Sequence, residues 1–159
     1  MAGLEDLYRE IILDHYRTPR NRGELDVPPA TRVEGFNPLC GDEIVVYVRV
    51  DDGTVDDIRI NGQGCSISQS SASMMSAAVK GKTVNEARAI VRAFKGLMSI
   101  HEQRLDGDGA VEVEPEPEVK LGDLEALQGV VKFPVRIKCA TLGWNTFTQA
   151  LDEAGASGA

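Results

Sequence analysis

The chain has 159 residues, 26% of them charged, with 17 Lys and Arg against 25 Asp and Glu and a formal net charge of -8. That length suits one domain with its own core and no need of disulfide staples. The acidic balance argues against nucleic acid or an anionic membrane surface as partner, and no apolar run has the length of a membrane span.

Leu4, Leu7, Tyr8, Ile11 and Ile12 fall at helical spacing, and His15 and Tyr16 extend the stripe. They predict an amphipathic helix over Leu4–Arg17, stopped by Pro19. The chain begins without the basic and apolar regions of an export signal, so a cytoplasmic location with reduced thiols is expected. A turn follows at Thr18–Gly23, and Arg32–Phe36 is a short first strand. Asp42–Val50 reads as a second strand, with Ile44, Val46, Val48 and Val50 alternating with Glu43, Val45, Tyr47 and Arg49. Asp51-Asp52-Gly53 is a tight-turn signal, and Val55–Asn61 is the return strand with Ile58 and Ile60 on one face.

Ile67–Val79 reads as a Ser- and Ala-rich helix whose expected buried face is Ile67, Ser71, Met74 and Ala78. Thr83 opens the next helix, with Glu86 completing a capping box, and that helix runs through Ala87, Ile90, Val91 and Phe94 towards Met98. Leu105–Leu121 is acidic and interrupted by Pro115 and Pro117, which suits a surface excursion rather than a second domain. Asp123 caps a short helix through Leu124 and Leu127. Phe133–Ile137 reads as extended, and a last helix from Cys139 buries Ala140, Trp144, Phe147 and Leu151. Residues 155–159 are expected to form a loose tail, leaving one domain ordered over about 4–154.

Cysteine count and placement carry the chemistry. Three cysteines are too few and too odd for a disulfide framework. Reduced, they are buried hydrophobes, metal ligands or reactive thiols. Cys40 sits in a turn set by Pro38 and Gly41, with Asp42 two residues on. Cys65 follows Gly62-Gln63-Gly64 at the first turn of a predicted helix, and Cys139 stands at the predicted start of the last. The positive end of a helix dipole favours thiolate at both. Cysteines at three such junctions fit a core reading badly. Three thiolates and the Asp42 carboxylate make four donors, the number a tetrahedral zinc ion requires. No C-x-x-C pair is present to strengthen this as in a zinc ribbon.

Other motifs fail on inspection. Gly81-Lys82-Thr83 lacks the earlier glycine of a phosphate loop, since Ser76 stands there. Asp106 and Asp108 lack the calcium-loop pattern, with Pro117 in place of its bidentate Glu. His15 reads as a packed or surface histidine, and neither it nor His101 has a Ser-His-Asp context.

Four landmarks in order carry a family resemblance: Asp14-His15-Tyr16 with Pro19-Arg20-Asn21 and Gly23; Asn37-Pro38-Leu39-Cys40-Gly41-Asp42; Gly62-Gln63-Gly64-Cys65-Ser66-Ile67-Ser68 with Ser71-Ala72-Ser73-Met74-Met75; and Lys138-Cys139-Ala140-Thr141-Leu142 with Trp144. Over about Leu4 to Ala154 the chain resembles the IscU/SufU iron–sulfur cluster assembly family. Scaffolds of the IscU type carry a histidine before the third cysteine, where this chain has Lys138. That residue and the long stretch between the second and third cysteines resemble the zinc-bound SufU branch. The resemblance implies an α+β fold, a three-stranded antiparallel sheet packed by helices. It implies zinc on Cys40, Asp42, Cys65 and Cys139, and a SufS-type cysteine desulfurase as partner, which carries pyridoxal phosphate. A monomer meeting that partner transiently, with iron–sulfur assembly machinery downstream, is implied as well.

The mechanism this resemblance implies is sulfur transfer. A desulfurase histidine takes one coordination place, and the released Cys40 attacks the outer sulfur of the persulfide. Cys40 is the expected acceptor because its turn is the most mobile of the three settings, while Cys65 and Cys139 hold the metal. Arg136 and Lys138 are placed to offset the site's charge or to contact the desulfurase. The alternatives are a scaffold assembling a transient iron–sulfur cluster on the same ligands, and a zinc-stabilised adaptor without sulfur transfer.

Overall fold

The computed structural model describes residues 4–27, 30–38, 41–105, 124, 126–127 and 134–157. Their elements are α1 Leu4–Arg17, β1 Thr31–Asn37, β2 Asp42–Asp51, β3 Thr54–Gln63, α2 Ser66–Val79, α3 Val84–Leu105 and α4 Pro134–Ser157. The fold is α+β, and the strands form one antiparallel sheet in the order β1-β2-β3.

Period-two alternation builds the inner face of that sheet. Val33, Val46 and Ile60 lie in one cross-strand row, and Val48 and Ile58 pair in the next. All are buried. Asp52 (φ 51°) and Gly53 (φ 74°) join β2 to β3, the two positive φ values that a right-twisted hairpin turn needs and that Asp-Gly supplies at low cost. The open edge of β3 is capped locally by the segment after α1. The Gly23 N–H donates to the Ile60 carbonyl at 3.0 Å, and the Ile60 N–H donates to the Asn21 carbonyl at 2.9 Å.

Helices α2 and α4 pack against each other and onto the sheet, and α1 packs on α2. This makes α2 a central helix. Ser71 and Met74 are buried as expected, whereas Ile67 and Ala78 are only partly buried. Ser68, Gln69, Ser70, Ala72, Ser73, Met75 and Ser76 are buried too. Its serines tolerate burial because they find partners. The Ser71 hydroxyl donates to the Ala140 carbonyl at 2.6 Å and accepts from Trp144 Nε1 at 3.0 Å. His15 is packed, its Nδ1 at 2.8 Å from Ser73 Oγ. Trp144 stacks on Phe94 with ring centroids 4.3 Å apart, tying α4 to α3.

The capping box at α3 forms reciprocally. The Glu86 N–H donates to Thr83 Oγ1 at 3.1 Å, and the Thr83 N–H donates to Glu86 Oε1 at 3.2 Å. The helix continues past Met98, so Leu105 closes α3 instead of opening the acidic excursion. The rest of that excursion, residues 106–121, and Asp123 lie outside the described residues. Leu124 and Leu127 are buried.

Three expectations near the C-terminus need correction. Pro134–Ile137 is helical, not extended: Pro134 opens α4, a position where its fixed φ and missing N–H cost nothing. Cys139 therefore lies in the second turn of α4 and not at its start. Residues 155–157 belong to α4 and not to a loose tail.

Candidate metal centre

Three elements converge at one end of the sheet. Asp42 opens β2 on its inner face, opposite Asn37, which closes β1. Cys65 is the N-cap of α2, and its Sγ accepts the Ser68 backbone N–H at 3.5 Å. Cys139 comes from α4 and is fully buried. One donor atom from each of Asp42, Cys65 and Cys139 lies within 4.8 Å of the other two.

This donor set fits zinc. Zn–S bonds of about 2.3 Å at tetrahedral angles would put donors about 3.8 Å apart, inside the 4.8 Å within which these three donor atoms lie. Soft thiolates joined by one carboxylate are also a donor mix that zinc, a borderline ion, accepts.

Asp42 is 0% exposed and yet kept ionised. Burial pushes its carboxyl upward, but the Cys65 backbone N–H, the Cys139 thiol, the Ser68 hydroxyl and the Asn37 amide all hydrogen-bond to the carboxylate. Together they hold it below the usual carboxylate range. The Cys65 N–H bond is 2.9 Å. Gly64 makes this approach possible. A Cβ there would lie 2.5 Å from Asp42 Oδ1 and 2.7 Å from Ser68 Oγ.

Arg136, in the first turn of α4, is exposed but faces the thiols. The charge on Cys65, followed by a hydrogen bond to Cys139 and its charge, raises the guanidinium above its ordinary value. Lys138, one residue before Cys139, is exposed. The structure thus brings Asp42, Cys65, Cys139 and Arg136 together and leaves Lys138 on the surface. Cys40 lies outside the described residues. It falls in the β1–β2 connection, where the Gly41 N–H donates to the Asn37 carbonyl at 2.9 Å. Sequence reasoning gave Asn37, Gly64 and Ser68 no role of their own. The usable signals were an amide facing a carboxylate across a predicted hairpin, and a hydroxyl three residues after a helix-capping cysteine.

Comparison with known proteins agrees with this geometry. The chain is 43% identical over 150 residues to the zinc-dependent sulfurtransferase SufU of Bacillus subtilis (strain 168), covering 94% of this chain and 92% of that protein. It is 37% identical over 151 residues to the iron–sulfur cluster assembly scaffold protein IscU of Streptococcus pyogenes serotype M1, covering 95% and 86%. A crystal structure from Fervidobacterium islandicum AW-1, provisionally described as an iron–sulfur cluster assembly scaffold protein for the SUF system, superposes with a TM-score of 0.73. It shares 30% identity and covers 94% of this chain and 99% of its own. The model of the NifU-like N-terminal domain matches residues 7–140, a span that holds the sheet and all three cysteines. By sequence, fold and the meeting of Asp42 with two cysteines, the chain belongs to the NifU-like N-terminal domain family.

Proposed function

We propose that this protein is a zinc-dependent sulfur acceptor, which takes persulfide sulfur from a cysteine desulfurase for iron–sulfur cluster biogenesis. The observation that carries the reading is the convergence of Asp42, Cys65 and Cys139 within 4.8 Å, with Cys40 two residues before Asp42 in the sequence. The likeness to a relative named as a zinc-dependent sulfurtransferase supports it.

Asp42, Cys65, Cys139 and Cys40 would hold the zinc ion, which would supply the positive charge that keeps these thiols deprotonated near neutral pH. Sulfur transfer itself is thiol exchange. The Cys40 thiolate attacks the outer sulfur of the desulfurase persulfide, and the sulfur–sulfur bond breaks. Its electron pair returns to the desulfurase cysteine as thiolate, and the sulfur with its proton stays on Cys40 as a new persulfide. No oxidant or reductant is consumed. Asp42, Cys65 and Cys139 hold the centre, and Arg136 sets positive charge beside the anionic sulfurs. Lys138, pointing outward, is available to the partner. The desulfurase supplies the pyridoxal phosphate. The protein acts in the cytoplasm as a monomer that meets the desulfurase transiently and passes sulfur to the assembly machinery.

Intact-mass measurement tests this. Zinc-loaded protein is mixed with a cysteine desulfurase and cysteine under non-reducing conditions. The expected result is one added sulfur mapping to Cys40, with faster desulfurase turnover, and loss of both in Cys40→Ala. Retained activation in Cys40→Ala would make the protein a zinc-stabilised adaptor. The IscU likeness favours one competing reading, a cluster scaffold. No sulfur on the zinc form, with acceptance only after iron replaces zinc, would establish that scaffold and defeat the acceptor.

A further inference from the structure

Asp42 is tethered at both carboxylate oxygens. Oδ1 accepts the Cys65 backbone N–H at 2.9 Å and lies 3.2 Å from the Ser68 hydroxyl. Oδ2 accepts from Asn37 Nδ2 at 3.3 Å, and the same nitrogen lies 3.7 Å from Cys139 Sγ. Both neighbours of that nitrogen are acceptors. This orients the amide with its two N–H groups inward, one for the carboxylate and one for the sulfur. Ser68 plays the matching part on the other side. Its hydroxyl shares one proton between Asp42 Oδ1 and the Cys65 carbonyl, and its backbone N–H points at Cys65 Sγ from 3.5 Å. Asn37 is 6% exposed and Ser68 is 0% exposed, so water is kept from their side-chain bonds to Asp42 and Cys139, while the bonds that involve Cys65 are part-buried.

We propose that Asn37 and Ser68 are positioning residues that lock Asp42, Cys65 and Cys139 into a fixed triad and so reserve sulfur acceptance for Cys40. The second half rests on the sulfur-acceptor reading above. Departure of Asp42 from the centre would strip an acceptor from the buried Asn37 amide and from the part-buried Cys65 N–H, which is costly. An N–H donated to a thiolate sulfur ties up the lone-pair density that attack requires, and this applies to both Cys65 and Cys139. Exchange at the centre is then cheapest at the remaining donor.

The test uses Asn37→Ala, Ser68→Ala and Ser68→Thr in the full chain. Asn37→Ala and Ser68→Ala are expected to lower zinc affinity about 10–100-fold in competition with a chromophoric chelator. They should also shift the thiolate-to-cobalt charge-transfer bands of the cobalt-substituted protein. Ser68→Thr should restore both. After reaction with a cysteine desulfurase and cysteine, peptide mapping should find sulfur on Cys40 alone in the unsubstituted protein and on Cys139 as well in Asn37→Ala. Unchanged zinc affinity and cobalt bands in the alanine variants overturn the lock, and sulfur still confined to Cys40 in Asn37→Ala overturns the selection. If Asn37→Ala does not fold, the Ser68 pair decides the lock, and sulfur on Cys65 of Ser68→Ala decides the selection. No sulfur on any cysteine of the unsubstituted protein defeats the acceptor reading and the selection with it, while the zinc and cobalt measurements still decide the lock.

Discussion

A methyl group at position 64 would collide with the Asp42 carboxylate and the Ser68 hydroxyl, which are both buried and hydrogen-bonded and have nowhere to retreat. Gly64→Ala is therefore expected to weaken zinc binding about 10–100-fold while far-UV circular dichroism stays unchanged. Wild-type affinity in a chelator competition would mean that the pocket relaxes around the methyl. Arg136 makes the opposite kind of prediction, because it is exposed and touches the thiols from outside. Arg136→Ala should slow sulfur acceptance and desulfurase activation with zinc retained, and loss of zinc on purification would make its role structural. Asp42 and Cys65 were legible in the sequence because each stands at a junction of turn and element, whereas Cys139 was found through its cysteine chemistry and family motif although it lies inside the second turn of α4. The roles of Asn37 and Ser68 were hidden, since the contacts join Asn37 to Cys139 across 102 positions and Ser68 to Asp42 across 26. No local period encodes such pairings.

Elements that alternate or repeat over many residues were legible to within about two positions. The three strands, α1 and the start of α3 are of this kind. Two helices were misread for physical reasons. The stripe chosen for α2 assumed one wet face, yet the helix is wrapped by α1, α4 and the sheet, and its serines are buried through hydrogen bonds that a hydrophobicity pattern does not register. The run Phe133–Ile137 is too short to separate a strand from a helix start, and Val135-Arg136-Ile137-Lys138 alternates apolar and basic like a strand. Proline at the opening position was the better signal. The capping box of α3 yields an acid-limb prediction. The backbone N–H of Thr83 and then its hydroxyl hold the Glu86 carboxyl below its ordinary value. Its contribution is complete above the unfolded value of about 4.3 and is lost as pH falls through the lower folded value. Glu86→Gln should flatten that part of the stability profile in melts from pH 7 downward, and superimposable acid limbs would exclude it.

The molecule as a whole couples its core to the centre through α4. That helix buries Ala140, Trp144, Phe147 and Leu151 against the sheet and α2, and it delivers Cys139 to the donors. Zinc that binds the folded chain alone stabilises it by about 2.7 kcal/mol at a hundredfold excess over Kd. For a chain of this size that is a rise in melting temperature of about 5–10 °C. Calorimetry with and without a chelator should show it, and coincident melts would mean that the metal contributes nothing to folding. Trp144 is the chain's one tryptophan, stacked on Phe94 and hydrogen-bonded to Ser71 five residues along α4 from Cys139. Its emission therefore comes from a single dry site in mechanical contact with the centre. Fluorescence without any added label reports two things at once: a red shift when the core opens to water, and a change in quenching when a metal enters or leaves at Cys139 and the helix adjusts.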